Sequence, residues 1–232
     1  MNTNNVKKLQ EKLNIKFNDE KLLQQALVHR SYLNEHHNFP MGHNERLEFL
    51  GDAVLEIVVT EFLYLKFSDT PEGDLTNWRA SLVNAKMLYE VAQDIELDGS
   101  LYLSKGEAKD GNKKSRQFIL ADAIEAIIGA IYLDQGIEPA KKFVTDHMLS
   151  KLDRILENQS YLDPKSRFQE KSQEVEGTTP HYQVLDEDGP DHAKIFKVGL
   201  YIGDKLVSTG KGSSKQEAQT QAASEGLKKL KW

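Results

Sequence analysis

The sequence predicts a two-part chain, an all-α domain followed by a smaller α+β module of order α-β-β-β-α. Three observations predict it. Apolar residues recur at helical spacing from Val6 to about residue 156, with no period-two run among them. A polar break, Glu157-Asn158-Gln159-Ser160, then interrupts the pattern. Beyond it come a helix start, three short alternating runs and a final amphipathic stretch. The boundaries expected from these changes are 6–135 for the helical domain, 136–156 for its terminal helix, 157–162 for the linker and 163–232 for the second module.

Each element has a local reason. Residues 6–13 form a short amphipathic helix, and Asp19 caps the next, over 20–28, with Leu22, Leu23, Ala26 and Leu27 on its apolar face. A polar loop over 31–43 leads into a long helix ending near Phe67. Pro71 and Gly73 mark a turn over 68–73, and helices follow over 76–83 and 85–95. Residues 104–115, rich in Lys and Gly, read as a mobile loop, and the Lys-rich part could touch phosphate. An apolar helix then runs to about Leu133 and a last one over 139–156. In the second module, Asp163 before Pro164 starts a helix reaching about Val175. Strands are expected over 181–185, 195–202 and 205–211, with Gly203-Asp204 as the hairpin turn. Ser214 and Glu217 fit a capping box that opens the final helix, whose apolar stripe is Ala218, Ala222, Ala223, Leu227 and Leu230.

The composition of the 232 residues excludes several classes. Without cysteine there is no disulfide, thiolate metal site or Cys nucleophile. No apolar run reaches the roughly 18 residues a membrane span needs, and the first five residues lack the features of a signal peptide. A soluble, cytoplasmic protein with no membrane partner is expected. The net charge of −6 divides unevenly: residues 1–160 carry 19 Lys+Arg against 25 Asp+Glu, and residues 161–232 carry 11 of each. The first part can concentrate a cation and the second can approach a polyanion.

Glu45, Glu48 and Asp52 stand at i, i+3 and i+7, so helical pitch stacks them on one face. Asp122 and Glu125, at i and i+3, interrupt a far more apolar helix. Such acids repel one another unless a cation sits among them. Four carboxylates from two helices suit a hard ion such as Mg²⁺. One or two such ions can polarise a phosphodiester and activate water, so no protein nucleophile is needed. No Ser-His-Asp or Cys-His arrangement is recognisable. Glu48, Asp122 and Glu125 are the expected ligands, and Asp52 is expected to ligate or to orient the attacking water. The competing reading, ordinary solvated acids, suits a single pair better than two pairs in two apolar helices. His36, His37 and His43 lie in a polar stretch without ligand spacing and read as solvated.

Asn44-Glu45-Arg46-Leu47-Glu48-Phe49-Leu50-Gly51-Asp52-Ala53-Val54-Leu55 resembles, without a gap, the signature of the ribonuclease III family. Leu120-Ala121-Asp122-Ala123-Ile124-Glu125-Ala126 resembles that family's second acidic motif, and Arg79-Ala80-Ser81-Leu82-Val83 its intervening helix. The resemblance implies an all-α endonuclease domain that acts as a homodimer on double-stranded RNA, each subunit cutting one strand to leave a 5′-phosphate and a short 3′ overhang. By position it implies Glu48, Asp122 and Glu125 as Mg²⁺ ligands, with Mn²⁺ able to substitute, and Asp52 and Glu125 as catalytic acids. Glu45 and Glu72 match supporting acids near the RNA. Phe49 matches an aromatic that packs across the dimer interface, a reading compatible with a plain core Phe. Phe118 departs from the pattern, standing where the family often has Ser.

The second module resembles the double-stranded RNA-binding domain, which reads A-form shape through two minor grooves and the phosphates between them. The resemblance places Ser166, Gln169 and Glu170 at one minor groove, with Gln169 the best base-edge contact, and the loop of Gly189, Pro190, Asp191 and His192 at the next. Lys211, Lys215 and the N-terminus of the last helix would meet phosphate. Where the family commonly has Lys-Lys-x-Ala-Lys, this chain has Lys215-Gln216-Glu217-Ala218-Gln219, and two fewer charges predict weaker, less salt-dependent binding. The expected function is a Mg²⁺-dependent endoribonuclease that processes ribosomal RNA precursors and some messenger and transfer RNAs. Two alternatives are a catalytically silent dimeric RNA-binding protein and a phosphohydrolase for small substrates; the intact acids oppose the first and the RNA module opposes the second.

Overall fold

The computed structural model describes residues 3–109, 112–157, 161, 163–190 and 194–232. The chain divides into two compact units, Met1–Tyr161 and Leu162–Trp232. No helix among the described residues is long and apolar enough to cross a membrane.

The first unit is built around α8, Lys113–Gln135. This helix is apolar on nearly every side and is buried accordingly, from Ile119 through Ile131, apart from the half-buried Asp122 and Glu125. Four helices cover it: α2 (Glu20–Ala26), α4 (Glu45–Lys66), α6 (Ala85–Asp94) and α9 (Ile137–His147). Leu55, Leu63, Leu88, Ile124, Ile127 and Phe143 are fully buried where these helices meet. The remaining helices, α1 (Thr3–Leu13), α3 (Arg30–Glu35), α5 (Glu72–Leu82), α7 (Lys105–Lys109) and α10 (Leu152–Glu157), surround them.

Two glycines set how closely α4 and α8 cross. A Cβ on Gly51 would stand 1.8 Å from the Glu125 carbonyl oxygen, and one on Gly129 would stand 2.2 Å from the Leu47 carbonyl oxygen. No side chain larger than hydrogen fits at either position without moving a helix. The backbones of the two acid-bearing helices are therefore in direct contact.

Four expectations need correction. Residues 31–43 are not all loop, because α3 begins at Arg30, where the His29 ring accepts from the Ser31 amide as an N-cap. The stretch 104–115 is largely helical where described: the Ser104 hydroxyl accepts from the Glu107 amide to start α7, and Asn112 caps α8. Ser104 and Glu107 have capping-box spacing, a signal that the Lys and Gly content obscured. Helix α5 starts at Glu72, with Pro71 as its cap, four residues before the expected start. The last helix is broken at Met148, where the Ser150 hydroxyl donates to the Asp146 carbonyl and competes with the helical ladder.

In the second unit, α11 (Pro164–Glu176) is followed by β1 (His181–Asp188), β2 (Ile195–Ile202), β3 (Lys205–Gly212) and α12 (Lys215–Leu230). The strands form one antiparallel sheet in the order β1-β2-β3. Strand β1 runs three residues beyond the expected end because Asp186, Glu187 and Asp188 pair with Lys197, Phe196 and Ile195. Backbone pairing there overrides the poor strand propensity of the acids. Phe168 of α11, Leu200 and Val207 of the sheet, and Ala222, Ala223 and Leu227 of α12 make one core, so both helices pack over the same face. Gly203, at φ 55°, supplies the left-handed residue of the hairpin turn.

Candidate metal centre and duplex-binding surface

Asn44 places the start of α4. Its buried side chain donates to the Ala26 carbonyl instead of capping the helix, and its amide bonds the Val28 carbonyl. This ties the first turn of α4 to the end of α2 and directs Glu45 and Glu48 into a cavity of about 560 Å³. The cavity is also lined by His29, Arg30, Glu107, Ser115 and Asp122. With the helix crossing fixed by Gly51 and Gly129, Glu48 of α4 meets Asp122 and Glu125 of α8. Each offers one carboxylate oxygen, and the three oxygens lie within 4.8 Å of one another. Among the described residues no other group of three His, Asp or Glu side chains comes together in this way, His36, His37 and His43 included.

The electrostatics reflect that crowding. Burial pushes the Glu125 carboxyl up to about 8, with the charges of Asp52, Asp122 and Glu48 adding to the effect. Burial also raises Asp122, helped by Glu45, and raises Glu48, helped by Asp122, Glu45 and Asp52. Three half-buried oxygen donors, each kept from ionising by burial and by the charge of neighbouring acids, are a donor set that fits a hard divalent ion.

The other predicted residues are placed differently. Asp52 is exposed and stands outside the three-oxygen group, one turn along α4. Glu45 lies 3.7 Å from both the Arg30 guanidinium and the His43 ring. Glu72 is not brought to these acids within one chain; its carboxylate accepts from the Thr76 hydroxyl and lines a separate cavity with Tyr64 and Arg79. Phe49 is 81% exposed, which overturns the core reading within a single chain. Phe118, 48% exposed, lines the acidic cavity and displaces none of the acids. Sequence reasoning missed Gly51 and Gly129 as determinants of the site, although both sit inside the quoted acidic motifs or directly beside them.

In the second unit Ser166, Gln169 and Glu170 are exposed on α11, and Pro190 is exposed after Gly189. His192 and Asp191 lie outside the described residues. The Ser214 hydroxyl accepts from the Glu217 amide, while the Glu217 carboxylate accepts from the amide and hydroxyl of Ser213. The box therefore closes on Ser213 instead of Ser214. Lys211 and Lys215 are exposed near this helix start, and Gln219 accepts from Lys165 at 2.8 Å.

Comparison with known proteins agrees with this geometry. The ribonuclease-III-like family model matches residues 19–152, and the model of the double-stranded RNA binding motif matches residues 164–230. Ribonuclease 3 of Carboxydothermus hydrogenoformans is 45% identical over 231 residues, which is 100% of this chain and 98% of that protein. Ribonuclease 3 of Enterococcus faecalis is 40% identical over 222 residues, 96% of each. Among solved structures, the nuclease domain of ribonuclease III from Campylobacter jejuni, described for structural flexibility in a region involved in dimer formation, superposes with a TM-score of 0.55. It is 42% identical and covers 61% of this chain and 97% of that one. A chain that aligns over nearly its whole length with such proteins, and whose helical unit matches their family model, belongs to the ribonuclease III family.

Proposed function

We propose that the protein is a double-strand-specific endoribonuclease acting as a homodimer with Mg²⁺, for which Mn²⁺ can substitute. The observation that carries this reading is the meeting of Glu48, Asp122 and Glu125 oxygens within 4.8 Å, in a chain that also carries a double-stranded RNA binding motif. Those three residues would hold the ion. When bound, the ion supplies charge to a phosphodiester oxygen and acidifies a water. Asp52, exposed one turn along α4 from Glu48, would orient the attacking water. Glu45, near Arg30 and His43, would support the RNA side of the site, as would Glu72 from its separate cavity.

The dimer reading is supported by α4. Phe49, Ile57 and Tyr64 are 81%, 59% and 72% exposed, and Phe49 borders a cavity of about 600 Å³ that Leu22, Leu50 and Leu133 also line. A second copy would cover this apolar face and bring a second acidic site to the same duplex. Gln169, Pro190, His192, Lys211 and Lys215 are the proposed contacts of the second unit with RNA. Ribosomal RNA precursors and structured messenger and transfer RNAs in the cytoplasm are the proposed substrates.

The test is cleavage of a long perfect RNA duplex with Mg²⁺, beside an EDTA control and a matched single strand. Metal-dependent, duplex-only products with 5′-phosphates and short 3′ overhangs are expected. Tight duplex binding with no cutting would sink the nuclease reading in favour of a silent binding protein.

A further inference from the structure

Lys215 is the cation in the first turn of α12, and the structure shows it engaged. Glu187 of β1 pairs across the sheet with Phe196. One Glu187 carboxylate oxygen stands 3.4 Å from the Lys215 ammonium and the other 3.3 Å from that of Lys194. The Lys215 ammonium also lies over the Phe196 ring, 5.5 Å from its centroid. Hydrogen bonding from Lys194, and then from Lys215, holds the Glu187 carboxyl below its ordinary range. One carboxylate thus sits between two lysines on the side of the module where a phosphate is to be bound.

We propose that Glu187 is a built-in counter-anion of the RNA-binding surface. It occupies Lys215 and Lys194 in the free protein, lowers duplex affinity and flattens the salt dependence of binding. The inference rests on the reading of Lys215 as a phosphate contact. A lysine already paired with a fixed carboxylate neutralises less of a phosphate's charge, so fewer condensed cations leave the RNA when it binds, and the phosphate must compete with Glu187. Within the first turns of α12 no other cation offsets this. Gln216 and Gln219 are uncharged, and the Glu217 carboxylate already takes the amide and hydroxyl of Ser213 at the same helix end. The Lys215 and Lys194 side chains are 58% and 34% exposed and that of Glu187 36%, so these are surface pairs whose effect on affinity is modest and falls with salt. The opposite role, in which Glu187 aims Lys215 at the phosphate, makes the reverse prediction.

The test measures binding of the full chain in EDTA to a perfect RNA duplex of about 20 base pairs across a salt series. The variants are Glu187→Gln, Lys215→Ala, the double variant, and Asp186→Asn as a neighbouring carboxylate of equal charge. Glu187→Gln is expected to bind about two- to fivefold more tightly, with a log–log salt slope steeper by roughly one. That gain should at least halve in the Lys215→Ala background, and Asp186→Asn should change affinity less. Unchanged or weaker binding by Glu187→Gln, or a gain of equal size without Lys215, overturns the inference while leaving the phosphate contact standing. If Lys215→Ala itself leaves affinity unchanged, the phosphate-contact reading fails, and the inference fails with it. Glu187 is on an exposed strand position, and matching melting temperatures of the variants confirm that binding differences are not folding differences.

Discussion

At the residue scale the sharpest conflict is at Glu125. A carboxyl raised to about 8 in the folded chain keeps a proton that the unfolded chain, near its ordinary value of 4.5, has already released. The sign follows from linkage. The group's stabilising contribution is full below about 4.5 and is lost as pH rises through about 8, so the metal-free protein weakens across that window. Glu125→Gln removes the titration and the repulsion from Asp52, Asp122 and Glu48. In EDTA at pH 8 it is expected to gain on the order of 1 kcal/mol of stability and to lessen the pH dependence, of which the raised Asp122 and Glu48 keep a part, while cleavage disappears and duplex binding is retained. Urea titration at two pH values and a binding assay check this. A variant that loses stability at pH 8, or one that still cuts, would show that Glu125 has a different role. The acids themselves were legible in the sequence, since i, i+3 and i+7 spacing on a helix is arithmetic. Their ranking was not. Burial and the charges of neighbours on another helix separate Glu125 from the exposed Asp52, and both belong to the assembled site.

At the element scale, the site depends on how closely two helices cross. Gly51→Ala would drive a methyl into the Glu125 carbonyl, so α4 and α8 must separate. The expected loss is about 2–4 kcal/mol, together with metal-dependent cleavage, because Glu48 then no longer meets Asp122 and Glu125. Gly73→Ala is the comparison. Nothing lies within 4 Å of its added methyl on α5, and Ala favours helix, so it should be neutral or gain up to about 1 kcal/mol. Equal effects of the two substitutions in denaturant titrations would remove the close-crossing argument. Two of the elements that the sequence misread share one cause. Helices α3 and α7 are short and begin with side-chain caps, His29 and Ser104, in polar surroundings. Their apolar periodicity is too brief to register. They are held instead by long-range bonds, such as the Ser104 amide to the Ser31 hydroxyl and the Lys105 amide to the Glu35 carboxylate.

At the scale of the whole molecule, Phe49, Ile57 and Tyr64, exposed together on α4 while Leu47, Leu55 and Leu63 are buried, point to a surface covered by a second copy. Phe49→Glu places a charge on that face without touching the monomer core. It is expected to shift the protein from dimer to monomer in sedimentation at micromolar concentration, and to reduce double-strand cleavage at least tenfold while leaving the melting temperature of the isolated chain near that of the parent. A Phe49→Glu protein that remains dimeric would move the interface elsewhere.

The sequence by itself determined the kinds of structure and the chemistry. Helical and strand periods, Pro164 after Asp163, and the Gly203 turn depend on neighbours within a few residues, and the acid spacing depends only on helix pitch. Those features are local, so a single strand of text carries them. Tertiary structure decided which acids meet. Glu48 lies more than seventy positions before Asp122, and they come together because hydrogens at Gly51 and Gly129 let two backbones touch. It also decided that Phe49 faces outward while Leu47 and Gly51 beside it are buried, and that Glu187 reaches across the sheet to hold Lys215. Contacts of that kind depend on packing between distant segments, where a fraction of an ångström at a backbone crossing outweighs any local preference.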